Sequence, residues 1–218
     1  MSSANLKSLY RRSLVNPNQK EGIREPLYDF LTYNSGGDLS LRFFQDPVSG
    51  SKTKADTNMT LNGQLPGGHK HIVETCEIHV LPGSNASSYV RQDAVKTGVA
   101  LAAPNFANDV WALLQTGYLI FHIGDKDYIT APLLSFPPST GMSLSVAAAV
   151  ENTNTTVLNQ ITADYGRLVG RPYVFNPVLP IPAQTNFDVT LAWPAAVTLP
   201  SGFDARIGVV LNGVRFRN

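Results

Sequence analysis

The strongest constraint on this chain is the alternation of apolar and polar residues over positions 186–218. In NFDVTLAW, Phe187, Val189, Leu191 and Trp193 share one parity, while Asp188, Thr190 and Ala192 take the other. Side chains alternate between the faces of a strand, so this piece is a strand with one buried face. After the connector PAAVTLPSGFD, the segment ARIGVVLNGVRFRN places Ile207, Val209 and Leu211 on one parity, then Val214 and Phe216 on the other. The change of phase falls at Asn212-Gly213, a dipeptide that tolerates positive φ and fits a tight hairpin or a bulge. A bulge that keeps the strand running is the expectation. Residues 194–204 make too long a connector for a tight hairpin, so the two strands are expected in opposite sheets. The last strand is then expected to pair with an early one at 70–81, around a core of Phe187, Leu191, Ile207 and Val209.

The rest of the chain is read against that pair. Leu39, Leu41 and Phe43 alternate with Ser40 and Arg42, and the polar stretch 45–58 reads as a surface loop. A short strand is expected at NMTL (58–61). In the long strand at 70–81, Ile72, Cys76, Ile78 and Val80 lie on one face and His71, Thr75, Glu77 and His79 on the other, with Glu74 interrupting the apolar face. Phe106, Val110, Leu113 and Leu114 have helical spacing, with Asn105 placed to cap the helix and Gly117 to follow it. YLIFHI and YITAPLL flank the polar turn 124–127 and predict a hairpin. Weaker strands are expected at 143–150, 155–161 and 171–179. Near the start, Leu6, Leu9, Tyr10 and Leu14 approach helical spacing before Pro17.

Short strands dominate, and no strand–helix alternation supports a parallel sheet. The expectation is an all-β fold: a two-sheet antiparallel jelly-roll sandwich with one or two short helices and long loops. Residues 1–37 are expected to form a basic N-terminal arm able to carry a short helix, and residues 38–218 a single jelly-roll domain.

Charge narrows the function classes. The net charge is +1, so no global field draws nucleic acid. The first 24 residues, however, hold Lys7, Arg11, Arg12, Lys20 and Arg24 against Glu21 alone. Such an arm suits contact with phosphate or a neighbouring molecule, and it equally suits a solvated end. Charged residues are only 15 % of the chain against 43 % hydrophobic, which hints at large contact surfaces. The single cysteine, Cys76, excludes an intrachain disulfide and, on the apolar face of its strand, reads as a buried thiol. No apolar run is long enough for a membrane span, and assembly in a reducing cytoplasm is expected.

The pattern closest to a catalytic one is Gly68-His69-Lys70-His71 followed by Glu74. Two histidines one residue apart on a strand point the same way and can share a metal, as in a cupin. The glutamate comes too early and on the opposite face. His122 sits in a hydrophobic strand, and His79 is too far along the strand from His71 to reach the same ion. The bland alternative is that His69 and His71 are exposed at a strand start. Asp125 and Asp127 flank a turn without a Ca²⁺-loop pattern. Trp111 and Trp193 read as core residues. Arg206, Arg215 and Arg217 fit a small basic patch or the protection of a sheet edge. Scattered aromatics (Tyr89, Phe106 and Phe203) are available to a carbohydrate- or receptor-binding sandwich.

The layout as a whole resembles the jelly-roll coat proteins of icosahedral viruses, in particular those of tailless bacteriophages. The resemblance is carried by the basic arm, by LSLRFFQDPVSGSKTKADTNMTLNGQLPGG leading into HIVETCEIHVL, by NDVWALLQTGYLIFHIGDKDYI, and by FDVTLAWPAAVTLPSGFDARIGVVLNGVRF. It implies a structural virion protein: a self-assembling capsid subunit that forms trimers, pentamers or larger capsomers. It also implies contact with other capsid proteins, with the genome or with an internal membrane, and localisation to the virion after synthesis in the host cytoplasm. No enzymatic activity, cofactor or small-molecule substrate is expected on this reading. The rival expectations are a cupin-like metal enzyme using His69 and His71, and a carbohydrate- or receptor-binding β-sandwich.

Overall fold

The structure is a computed structural model that describes residues 21–49, 51–83, 106–137, 143–148, 161–166 and 170–217. The helix expected near the N-terminus, most of the strand expected at 155–161, the Asn105 cap, Lys7, Arg11, Arg12, Lys20 and Tyr89 lie outside these residues.

The strands, in chain order, are β1 (Glu21–Arg24), β2 (Leu27–Tyr33), β3 (Ser40–Phe43), β4 (His69–Pro82), β5 (Tyr118–Ile123), β6 (Lys126–Pro132), β7 (Ser143–Ala148), β8 (Ile161–Gly166), β9 (Tyr173–Ile181), β10 (Phe187–Ala192) and β11 (Ala205–Arg217). Among the described residues one helix, α1 (Phe106–Thr116), precedes β5, and a short 3-10 turn (Leu133–Ser135) follows β6. All pairing is antiparallel. In the larger sheet β11 lies between β4 on one side and β1 and β2 on the other, with β9 beyond β4. The second sheet runs β3-β10-β5-β6, and β7 and β8 form a separate ribbon. The pairs β2/β11, β3/β10, β4/β9 and β5/β6 are nested: each lies inside the preceding one along the chain.

The two large sheets share one core, which includes Phe187, Val189 and Leu191 from β10, Phe121 from β5, Ile207, Val209 and Leu211 from β11, and Cys76, Ile78 and Val80 from β4. The four expected core residues are all buried, and β10 and β11 do lie in different sheets. Trp193 closes one end. It stands edge-on to Tyr33 with centroids 4.8 Å apart, and its indole N–H donates to the Leu113 carbonyl of α1 at 3.0 Å. The Tyr33 hydroxyl accepts from the Val197 N–H at 3.1 Å, which ties the connector between β10 and β11 to β2.

Three expectations are corrected. Residues 21–33, assigned to an arm, are strands β1 and β2, each paired with β11. The reason is that β2 turns Leu27, Asp29, Leu31 and Tyr33 to the core side, and a carboxylate in that row hides the apolar alternation. NMTL is a loop, and the residue before it, Thr57, touches β2 by an isolated bridge to Asp29. Trp111 is 59 % exposed: α1 turns Val110 and Leu113 inward, and Trp111 falls on the opposite side.

The phase change at Asn212-Gly213 is a bulge, but the extra residue belongs to the partner strand. Asn212 faces Thr75 and Gly213 faces Val73, which leaves Glu74 unpaired between them. Strand β11 therefore alternates without interruption, and β4 changes phase at Glu74. On one side of the bulge Cys76 and Ile78 face the core. On the other side His71 and Val73 do, and Ile72 turns outward to join Val214 and Phe216 in a second, smaller cluster. The bulge presses the β4 backbone against β11. A Cβ on Gly213 would lie 1.9 Å from the Ile72 carbonyl oxygen. Gly213→Ala is thus expected to destabilise the protein by roughly 2–3 kcal/mol or to prevent folding, because rigid backbone cannot move aside. Gly36→Ala, with nothing within 4 Å of the added methyl, is expected to leave the urea midpoint almost unchanged. Equal midpoints for the two variants would refute the bulge.

Candidate functional site

Below the bulge, the face of β4 and β11 that continues from the core side carries polar residues. Register pairs His71 with Arg215 and His69 with Arg217. The residues singled out as His69 and His71 are thus brought to one face, together with two of the three C-terminal arginines. Arg206 is elsewhere: it donates to the Ala55 carbonyl at 2.7 Å, pairs with Asp56 at 3.0 Å and lies 4.3 Å over the Phe30 ring. Sheet-edge protection does not apply to any of the three, because β11 is an interior strand.

Arg215 is buried and donates from Nε and Nη2 to Nδ1 of His69 at 3.2 and 2.9 Å. A guanidinium can only donate, so Nδ1 must accept, and the neutral ring carries its proton on Nε2. Burial, followed by the charges of Arg215 and Arg217, pushes the His69 pKa down, against an opposing pull from Glu25. Glu25 lies 3.4 Å from Arg215 and 3.7 Å from Arg217. Around them is a cavity of about 740 Å³, with Lys54 and Tyr28 among its lining residues. The Tyr28 hydroxyl donates to the Lys54 carbonyl at 2.6 Å, and the Asn58 amide donates to Pro26 at 2.7 Å and accepts from the Tyr28 N–H at 3.1 Å. The loop 45–58 is thereby fastened to the start of β2.

His71, expected at an exposed strand start, is fully buried, because the bulge turns it to the inner face. Neither ring nitrogen makes a hydrogen bond of good geometry, although the Leu211 backbone lies close enough to favour the protonated ring. Burial lowers its pKa to about 4; the Leu211 backbone opposes this and the Arg215 charge adds to it. This donor set does not suit a metal. Nδ1 of His69 is occupied by Arg215, whose charge faces both histidines and repels a cation. No cluster of three metal-ligating side chains occurs among the described residues. His122 lies on β5, in the other sheet.

A second, smaller pocket of about 400 Å³ lies on the outer face of the β3-β10-β5-β6 sheet. There Asp188 accepts from Arg42 at 2.7 Å and from the Thr190 hydroxyl at 3.0 Å. His122 lies 2.5 Å from Asp127 and 3.6 Å from Asp188. The Thr190 hydroxyl points to the carboxylate and not to the imidazole, so this group lacks the nucleophile–base contact that acyl transfer needs. Cys76 is buried, and burial raises its pKa, which leaves it an inert thiol. Arg24 is exposed and 3.4 Å from Glu74 at the bulge. Phe203 is half-buried in the β10–β11 connector.

Sequence reasoning missed Glu25, Tyr28 and Lys54 as members of the cavity. They reach it only through the pairing of β2 with β11 and the return of the 45–58 loop. The shared parity of Arg215 and Arg217, set against His69 and His71 in an antiparallel pair, was the available signal. Comparison with protein families, curated proteins and solved structures finds no match.

His71 makes folding sensitive to acid. The folded state holds the ring neutral to about pH 4, whereas the unfolded chain titrates near 6.5, so unfolding takes up a proton between these values. Stability is full above about 6.5 and falls by about 3 kcal/mol as pH drops toward 4. Burial raises the pKa of Asp29, Glu74 and Asp109, which acts in the opposite direction. The clean readout is therefore the difference from His71→Leu in urea unfolding at about pH 7.5 and about pH 4.5. The wild type is expected to lose more stability than the variant. Parallel losses would exclude His71 as the cause.

Proposed function

We propose that this chain is a structural coat subunit of an icosahedral virus, of the kind found in tailless bacteriophages, built on a jelly roll. The observation that carries the proposal is the nested strand order, β2/β11, β3/β10, β4/β9 and β5/β6, divided over two sheets. Eight strands in two packed antiparallel sheets, paired in nested fashion, support the jelly-roll reading, an architecture shared by capsid, lectin and cupin domains. The cupin reading loses support from Arg215, which occupies His69 and disfavours a cation between the histidines. Coat assembly gains support from apolar side chains left in solvent: Leu39 is 61 % exposed and Val174 63 %, beside Trp111. Such residues on a low-charge surface suit a subunit that is covered by neighbours. Its partners are copies of itself, and other capsid proteins, the genome or an internal membrane are compatible additions.

Purified protein, concentrated stepwise and followed by sedimentation velocity and negative-stain microscopy, is expected to form trimers, pentamers, larger capsomers or shells. A species that stays monomeric at every concentration would overturn the proposal. Trp111→Ser is expected to weaken assembly while leaving thermal unfolding of the subunit within about 0.5 kcal/mol of the parent.

A further inference from the structure

We propose that the cavity between β2, the 45–58 loop and the ends of β4 and β11 is a binding site for a phosphate group borne by a nucleotide. Its volume of about 740 Å³ lies within the range of small-ligand pockets. Lys54, Arg215 and Arg217 line it against one carboxylate, Glu25, which leaves a surplus of two positive charges with His69 neutral. The cations are placed for a ligand to different degrees. Arg215 is spent on His69 and Glu25 and forms the floor. Arg217 touches Glu25 only at 3.7 Å, and its Nε is buried without a hydrogen-bond partner. Lys54 has no carboxylate partner among the described residues. Its loop is nevertheless held in place by Tyr28 and Asn58. Pre-positioned donors with unmet hydrogen-bonding capacity are what an oxyanion needs. The remaining walls, formed by Pro26, Tyr28, Val48 and Pro66, are largely apolar and include an aromatic ring, which suits a base or sugar more than bulk water.

The protein's own N-terminal residues cannot neutralise this surplus. Residues 1–20 carry Lys7, Arg11, Arg12 and Lys20 and no acidic residue. The described chain starts at Glu21, whose backbone pairs with Arg217. The proposal does not depend on assembly: a protein that forms shells and binds no nucleotide would refute this site alone.

The test is calorimetric titration of the full chain with inorganic phosphate and with dAMP, and fluorescence anisotropy with a short labelled oligodeoxythymidine. Lys54→Gln combined with Arg217→Gln is expected to weaken dAMP binding by at least about tenfold, since two charge-assisted contacts are lost. Both side chains are partly or fully exposed, so thermal unfolding should be unchanged. Glu25→Gln is expected to tighten binding, a sign that a purely structural role does not produce. Tighter binding of the oligonucleotide than of dAMP, weakened by the same variants, identifies a strand as the source of the phosphate; the reverse order identifies a free nucleotide. No dAMP binding at low salt, or oligonucleotide binding that the double variant leaves intact, would overturn the proposal. The second result would assign the contact to the basic residues before Glu21.

Discussion

The placement of charge in this protein depends on one unpaired residue. Strands β4 and β11 pair from Ala205 with Pro82 to Arg217 with His69, and Glu74 is the only position on β4 that breaks the count. A single extra residue reverses the facing of everything beyond it. Without it, Lys70 and Ile72 would face inward and His69 and His71 outward. With it, the apolar side chain of Ile72 joins Val214 and Phe216 on the outer face, while histidines and arginines gather at the open end of the sandwich. Gly213 is the complement of that extra residue, because no side chain fits beneath the displaced Ile72 carbonyl.

Two buried charges of the sandwich, Asp29 and Arg206, are tolerated because each meets an ion-pair partner. Asp29, fully buried on the inner side of β2, accepts from the Phe44 N–H at 2.6 Å and from Lys52 at 2.7 Å. Burial still raises its pKa. Such a pair adds little net stability, yet removing one member leaves the other uncompensated, so it fixes the path of the chain more than its energy. The Asp56–Arg206 pair does the same work on the outer face, where Arg206 lies over Phe30. Together they hold the 45–58 loop against β2 and β11, and that loop delivers Lys54 to the cavity.

Much of the fold was legible in the sequence. Strands β5 and β10 alternate because apolar residues face the core and polar ones face away, β11 is covered on both faces, and the long connector placed β10 and β11 in different sheets. Strand β2 was not legible, because Asp29 stands where an apolar residue would have marked the inner face. Trp111 was misplaced because bulk alone does not say which side of a helix is covered. The cavity was only half legible. His69, Arg215 and Arg217 could be lined up from parity and an antiparallel pairing. Glu25 and Lys54 could not, since they arrive by side-chain contacts between distant parts of the chain.

The central position of β11 has a kinetic consequence. It is the strand that joins β1 and β2 to β4, yet it is synthesised after all of them; Arg215 meets Glu25 across 190 residues. Until it arrives, β2 and β4 are two unpaired edges, and the closing of the larger sheet is among the most non-local events the chain can undergo. Folding is therefore gated late and is expected to be slow for a domain of this size. During that interval the open edges of β2 and β4 can pair with those of another nascent chain, so the step that completes one subunit is also where entanglement with a second can begin.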